Sequence, residues 1–190
     1  PPAPGSVDQH HTTTALPDSV LDIAGQLRDA FLSLQNRKKR LIFADSLAAL
    51  YRSVGQYDSA AAYLEAKLQE EPTLDHFLEA GDLSYEAMGF AMASNRRAAW
   101  ADKARKYFEK VLEEEPDLPD VRVKVGMTYL SGNNPMAGIT MIRQVAEEHP
   151  DNVSALYQLG VLSVTTGQYD KAIERLSRLM SLDPSNAEGR

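Results

Sequence analysis

The chain has no cysteine among its 190 residues, which rules out disulfides and thiolate metal sites without fixing a compartment. Aromatic residues make up only 7%, with a single tryptophan, while Ala and Leu are plentiful, so helix is favoured over sheet. No apolar run approaches the ~20 residues of a membrane span. Concentrated positive charge is also missing. The formal net charge of −7 argues against nucleic acid as a partner, since phosphate binding needs a basic surface. There is no phosphate loop, GxSxG elbow, dinucleotide fingerprint or HExxH pair. His10 and His11 sit in a polar leader, and His76 and His149 are far apart in sequence. The expectation is no enzyme, no metal and no cofactor. What remains, 43% hydrophobic and 25% charged, fits an ordinary globular chain.

Four prolines organise the rest. Pro72, Pro116, Pro150 and Pro184 close the phrases KLQEEP, VLEEEP, QVAEEHP and LMSLDP. Pro116 to Pro150 and Pro150 to Pro184 are both 34 residues, while Pro72 to Pro116 is 44. A fixed period of this size in a helix-rich chain means stacked helical hairpins. The acidic runs before the prolines read as solvated helix ends.

Residues 1–17, rich in Pro, Thr and small side chains, read as a flexible leader. From Asp18 an apolar stripe of Val20, Ile23, Ala24, Leu27, Phe31 and Leu34 predicts an extra N-terminal helix, capped by Asp18 or Ser19. The basic run Arg37-Lys38-Lys39-Arg40 reads as a junction, with its charge favourable at the end of that helix; the other reading is contact with an anionic lipid surface. Together 18–40 form the extra helix and junction. Four units follow: 41–74, 75–118 with an insertion of ten, 119–152 and 153–186. Each carries a small residue in its first helix (Ala48, Gly81, Gly126, Gly160) and another in its second (Ala60, Ala104, Gly138, Ala172), where two helices cross closely. Gly55-Gln56-Tyr57-Asp58 and Gly167-Gln168-Tyr169-Asp170 mark equivalent turns, and Ser131-Gly132-Asn133-Asn134-Pro135 marks a third. In unit two, EAMGFAMASNRRAAW (86–100) predicts lengthened helices around a junction near Ser94-Asn95. Asn152-Val153-Ser154 fits a glycosylation sequon, a match common by chance.

This pattern resembles the tetratricopeptide repeat, with unit four the best match through Leu159-Gly160, Gly167, Tyr169, Ala172, Leu176 and Pro184. The extended unit two is similar to the lengthened central hairpin of bacterial tetratricopeptide domains of the cytochrome c maturation type. The resemblance implies an all-α, right-handed superhelical stack of antiparallel helix pairs, with one extra N-terminal helix. It implies a non-catalytic protein–protein interaction scaffold whose first helices line a concave peptide-binding groove. Carried onto this chain, the groove positions are Asp45, Ala49 and Arg52 in unit one; Leu78, Asp82 and Tyr85 in unit two; Val123, Met127 and Leu130 in unit three; and Tyr157, Val161 and Val164 in unit four. The first half is mixed and acidic and the second is apolar, which suits a helical or extended apolar segment. Co-chaperone members hold a terminal carboxylate with a Lys/Asn/Arg clamp. Here Asp45, Ala49 and Glu79 stand at those places, so that ligand is not expected.

The ends add an alternative. Residues 187–190 read as the start of a truncated further helix, leaving the apolar face of unit four open. A weak homodimer is therefore expected, through that end or through exchange of the N-terminal helix. The first residue is Pro1 rather than Met, so a lost N-terminal anchor is an expectation too. With it come membrane proximity, a periplasmic or membrane-anchored location, and the reading of a self-associating module in an anchored bacterial assembly.

Overall fold

Each apolar-periodic stretch winds into a helix, and the turn phrases separate them. The computed structural model describes residues 17–132 and 134–182. Among these residues there are nine helices: α1 (Asp18–Ser33), α2 (Arg37–Ser53), α3 (Tyr57–Glu70), α4 (Leu74–Phe90), α5 (Ser94–Glu114), α6 (Pro119–Leu130), α7 (Pro135–Glu148), α8 (Val153–Thr165) and α9 (Tyr169–Leu182). The closest partners are α2 with α3, α4 with α5, α6 with α7, and α8 with α9. Each pair then stacks on the next through α3–α4, α5–α6 and α7–α8, while α1 lies against α2. No strand occurs among the described residues, and no helix there is long and apolar enough to cross a membrane. The architecture is an α–α superhelix.

Local chemistry explains the boundaries. Gly55 and Gly167 adopt φ of 71° and 73°, a left-handed conformation that ends the first helix of units one and four. In unit three Asn134 accepts from the Ala137 backbone amide at 3.3 Å, and Pro135 occupies the first turn of α7. Helices α3, α5 and α7 end at Glu70, Glu114 and Glu148, just ahead of Pro72, Pro116 and Pro150. Pro184, Asn133, His10, His11, nearly all of the leader and residues 187–190 lie outside the described residues.

Several expectations change. Neither Asp18 nor Ser19 caps α1: Pro17 holds the cap position with no side-chain bond, and Asp18 is already in the first turn. Ile23 leaves the buried stripe and is 49% exposed, whereas Ala24 is buried. The basic run forms the first turn of α2 and not the end of α1, because Asn36 caps α2 by accepting from the Lys39 amide at 3.0 Å. Its charge there opposes the helix dipole. The unit-two junction falls at Ala91–Ala93, with Ser94 the first residue of α5. Buried Trp100 packs with Ala87, Met88 and Ala101 to fill the added length.

The core is a column repeated by the period. Leu64, Phe108 and Ile142 are 3%, 0% and 0% exposed, and each second helix sets one such side chain against the small residue of its partner. A Cβ on Gly81 would lie 2.6 Å from the Phe108 ring, and one on Gly160 would lie 2.6 Å from Leu176. Full burial of each large side chain contributes ~2–3 kcal/mol, provided the helices approach closely enough. Over the N-terminal pair, Phe31 of α1 stands edge-on to Tyr63 at 5.6 Å, and Tyr63 stacks on Tyr51 at 5.8 Å. That aromatic contact seats the extra helix.

Candidate functional site

The first helices of successive pairs meet side by side, and ion pairs bridge them. Arg52 of α2 pairs with Glu86 of α4, and Asp82 of α4 pairs with Lys124 of α6 at 2.6 Å. Helix α6 also touches α8 directly. Arg52 and Asp82, two of the expected groove positions of units one and two, thus sit at contacts between first helices.

The most constrained group there was not foreseen as a site residue. Lys67, on α3, is 7% exposed, and its Nζ bonds Asp45 at 2.5 Å and Glu79 at 2.6 Å. Burial pushes its pKa down, but the two carboxylates outweigh burial and hold it above the usual lysine value. The signal was present in the period: the same column holds Val111, Val145 and Leu179, all buried. A lysine among these aliphatics needs partners, and Asp45 and Glu79 supply them. Both carboxylates are thereby engaged at the places where a carboxylate clamp would carry donors.

The apolar half of the expected groove is partly internal. Val123 is 2% exposed and lies in a cluster with Ile142, Val145, Ala155 and Leu159, so it is corrected from a groove residue to a core residue. Its side chain points between α6, α7 and α8, where it closes the junction of units three and four. Met127 and Leu130 are half-buried against the same cluster. Leu78 and Tyr85 likewise pack on the cluster around Phe108, Tyr85 with its ring centroid 6.3 Å from that of Phe108. Tyr157 is half-buried, while Ala49, Arg52, Val161 and Val164 are exposed. Of the twelve expected positions, these four offer the most open surface.

Glu113, Glu114 and Glu115 are exposed, as expected, but the acidic runs of units one and three tie the two helices of a pair together. Glu70 is only 16% exposed in its side chain and pairs with Arg40; Glu71 faces Arg37 at 3.9 Å. Glu148 accepts from Arg122 at 2.5 Å and from Gln144 at 2.8 Å, and the Arg122 bond leads in holding its pKa below the usual carboxylate value. Its contribution is present above pH ~4.5 and is lost as pH falls through the lower folded value. Asn152 of the sequon caps α8 by accepting from the Ala155 amide at 2.7 Å, while its own amide donates to Asp120 at 2.9 Å. A glycan on that nitrogen would disrupt the Asp120 bond.

Half-buried phenols act on the alkaline side. Burial first, then its bond to Glu86, pushes the Tyr57 hydroxyl up to about 12. Burial also raises Tyr63, Tyr85 and Tyr107. An unfolded tyrosine ionises near pH 10, so this stability is intact below pH ~10 and is lost as pH rises through the folded value. The urea midpoint is therefore expected to fall between pH 10 and about 12. Tyr57→Phe is expected to flatten part of that fall; an unchanged alkaline limb would contradict the assignment.

Comparison with known proteins agrees with this geometry. Residues 44–76 and 137–190 match family models described as tetratricopeptide repeat. The BBSome complex member BBS4 homolog of Drosophila melanogaster is 23% identical over 204 aligned positions, covering 92% of this chain and 42% of that protein. The anaphase-promoting complex subunit CDC16 of Saccharomyces cerevisiae is 32% identical over 92 residues, covering 45% of this chain and 11% of that protein. The chain thus spans less than half the length of either relative. Among solved structures, a tetratricopeptide repeat protein from Parabacteroides merdae superposes with a TM-score of 0.63 at 17% identity, covering 89% of this chain and 62% of that one. At that identity the likeness speaks for the fold alone. Two matched segments and the observed helix pairs identify the chain as a tetratricopeptide-repeat protein.

Proposed function

We propose that the chain is a protein–protein interaction scaffold whose concave face binds a helical or extended segment of a partner. The observation that carries this reading is that α2, α4, α6 and α8 are joined in series by Arg52–Glu86, Asp82–Lys124 and the α6–α8 contact, with Ala49, Arg52, Val161 and Val164 exposed on these helices. Folds of this class typically serve as non-catalytic scaffolds. The two curated relatives are both named as members of multi-subunit complexes, which favours the same role. The apolar attraction is concentrated at Val161 and Val164 of unit four, 38% and 47% exposed, since Val123, Met127 and Leu130 are committed to internal packing. Arg52, paired with Glu86, adds an electrostatic preference at the other end. Membrane anchoring finds no specific support among the described residues.

The test is selection of short helical and extended peptides from a display library, followed by binding to Val161→Glu/Val164→Glu. The variant is expected to lose at least about tenfold in affinity for the selected peptides while its far-UV helicity is unchanged. Equal binding by both proteins would remove the groove from the account. Met127→Glu is a poor substitute here, because it would bury a charge against the core and confound folding with binding.

A further inference from the structure

We infer that the tip of the lengthened hairpin, the α4–α5 junction of unit two, docks into an apolar pocket of a partner protein that carries a carboxylate at its rim. This goes beyond the groove reading, because Phe90, Met92 and Arg97, the side chains that make the contact, are not groove positions. Phe90 and Met92 are 68% and 95% exposed on either side of Ala91. Ala91 and Ala93 are both extended, with ψ of 113° and 133°, so the junction runs straight between the helices. Tyr57 backs the exposed ring: it stacks on Phe90 at 5.7 Å, and its hydroxyl donates to Glu86 at 2.9 Å. Arg97 ties the junction to α5, donating to the Ala91 carbonyl from Nε at 3.3 Å and from Nη2 at 3.1 Å. The tip is thus held in shape before anything binds, which lowers the ordering cost of an encounter. Two large apolar side chains presented this way cost solvation until something covers them.

The local charges define the occupant. Residues 84–101 carry Glu86, Arg96 and Arg97 alone, and residues 50–61 around the adjoining α2–α3 turn carry Arg52 and Asp58 alone. Glu86 pairs with Arg52, and Asp58 pairs with Arg96 at 2.7 Å. Further along α5, Asp102 pairs with Arg105 and Lys103 with Glu65. On the other side the α6–α7 turn adds nothing, since no charged residue lies between Lys124 and Arg143. The acids of α1 belong to a helix packed on α2. Arg97 is therefore exposed without a carboxylate partner among the described residues, and its guanidinium sits at the carbonyl between Phe90 and Met92. A pocket that takes those two side chains must also answer this charge. Phe, Met and Arg are the residue types that protein interfaces favour. Two copies meeting tip to tip would oppose their Arg97 side chains with no free acid between them. An anionic bilayer gains little from one surplus cation on a chain of net charge −7.

The photocrosslinker p-benzoylphenylalanine, placed at the exposed position 93 of the full chain and irradiated in an extract of the source cells, tests this. The expected product is an adduct with a different protein, linked at an apolar segment beside an Asp or Glu. That protein, purified, is expected to bind the wild type and to lose about tenfold or more in affinity for Phe90→Ser/Met92→Ser and for Arg97→Glu. Arg97→Lys keeps the charge and is expected to stay within about threefold. Reversal of the adjacent carboxylate to Lys in the linked protein is expected to restore binding to Arg97→Glu. Val161→Glu/Val164→Glu is expected to bind as the wild type does, which separates the tip from the groove. Far-UV circular dichroism checks that each variant keeps its helicity. The inference is overturned by the absence of any adduct, or by adducts confined to residues 1–16, to a second copy or to lipid. Equal binding by Arg97→Glu, or loss of binding in the groove variant, overturns it as well.

Discussion

Gly138→Ala is expected to destabilise the chain by about 3 kcal/mol, the largest loss of any glycine-to-alanine change among the described residues. A Cβ at this position would lie 2.3 Å from the Gly126 carbonyl oxygen and 3.0 Å from the Leu130 amide nitrogen. Both are backbone atoms of α6, which no side-chain rotation can move. The helices must therefore separate, and Ile142, fully buried four residues further along α7, loses contact with the same neighbours. Gly81→Ala and Gly160→Ala meet only the side chains of Phe108 and Leu176, which can shift, so their losses are expected to be smaller. Gly25→Ala and Gly89→Ala meet nothing within 4 Å and sit in helices, so they are expected to be neutral or to stabilise by up to about 1 kcal/mol. Urea unfolding of the five variants gives the order directly. A Gly138→Ala loss no greater than that of Gly160→Ala would show that α6 and α7 are not held at backbone contact.

That crossing was legible in the sequence, because the period alone brings Gly126 and Gly138 together as the small residues of one pair. The positive-φ turns at Gly55 and Gly167 and the proline after each second helix were legible for the same reason: each is a local signal repeated at fixed spacing. The groove was less so. Position within a repeat gives the face of a helix but not how far the next pair leans over it, so Val123 read as surface although α8 covers it. Met127 and Leu130 are half lost to the same effect. The basic run also escaped a local reading, since nothing in Arg37-Lys38-Lys39-Arg40 itself says which helix it joins; the Asn36 cap decides. Ion pairs such as Arg52–Glu86 and Asp82–Lys124 join residues of different units, and only the stacking places them together.

Lys67 shows where the period carried information that local reading passed over. In the column after Leu64, Phe108, Ile142 and Leu176 by three residues stand Lys67, Val111, Val145 and Leu179. One charged member of an otherwise aliphatic, buried column makes its replacement informative. Lys67→Glu removes the cation that Asp45 and Glu79 share and adds a third carboxylate beside them. A loss of about 3 kcal/mol is expected, the low end for breaking a buried pair, because the two acidic side chains are 45% and 42% exposed and water screens them in part. Lys67→Met instead follows the column: an unbranched apolar chain fills the space while Asp45 and Glu79 turn to water, and the cost is expected to stay under about 1 kcal/mol. The wild-type lysine contributes its pairing below pH ~10.5 and loses it as pH rises through its raised folded value, so Lys67→Met is expected to remove part of the alkaline limb that Tyr57→Phe leaves. Function separates the two roles of this lysine. In Lys67→Met a folded protein presents two released carboxylates beside the groove positions of unit one, and peptides selected on it are expected to be enriched in Lys and Arg relative to those selected on wild type. An unchanged peptide charge on a stable Lys67→Met protein would mean that Lys67 serves packing alone, with Asp45 and Glu79 remote from any ligand.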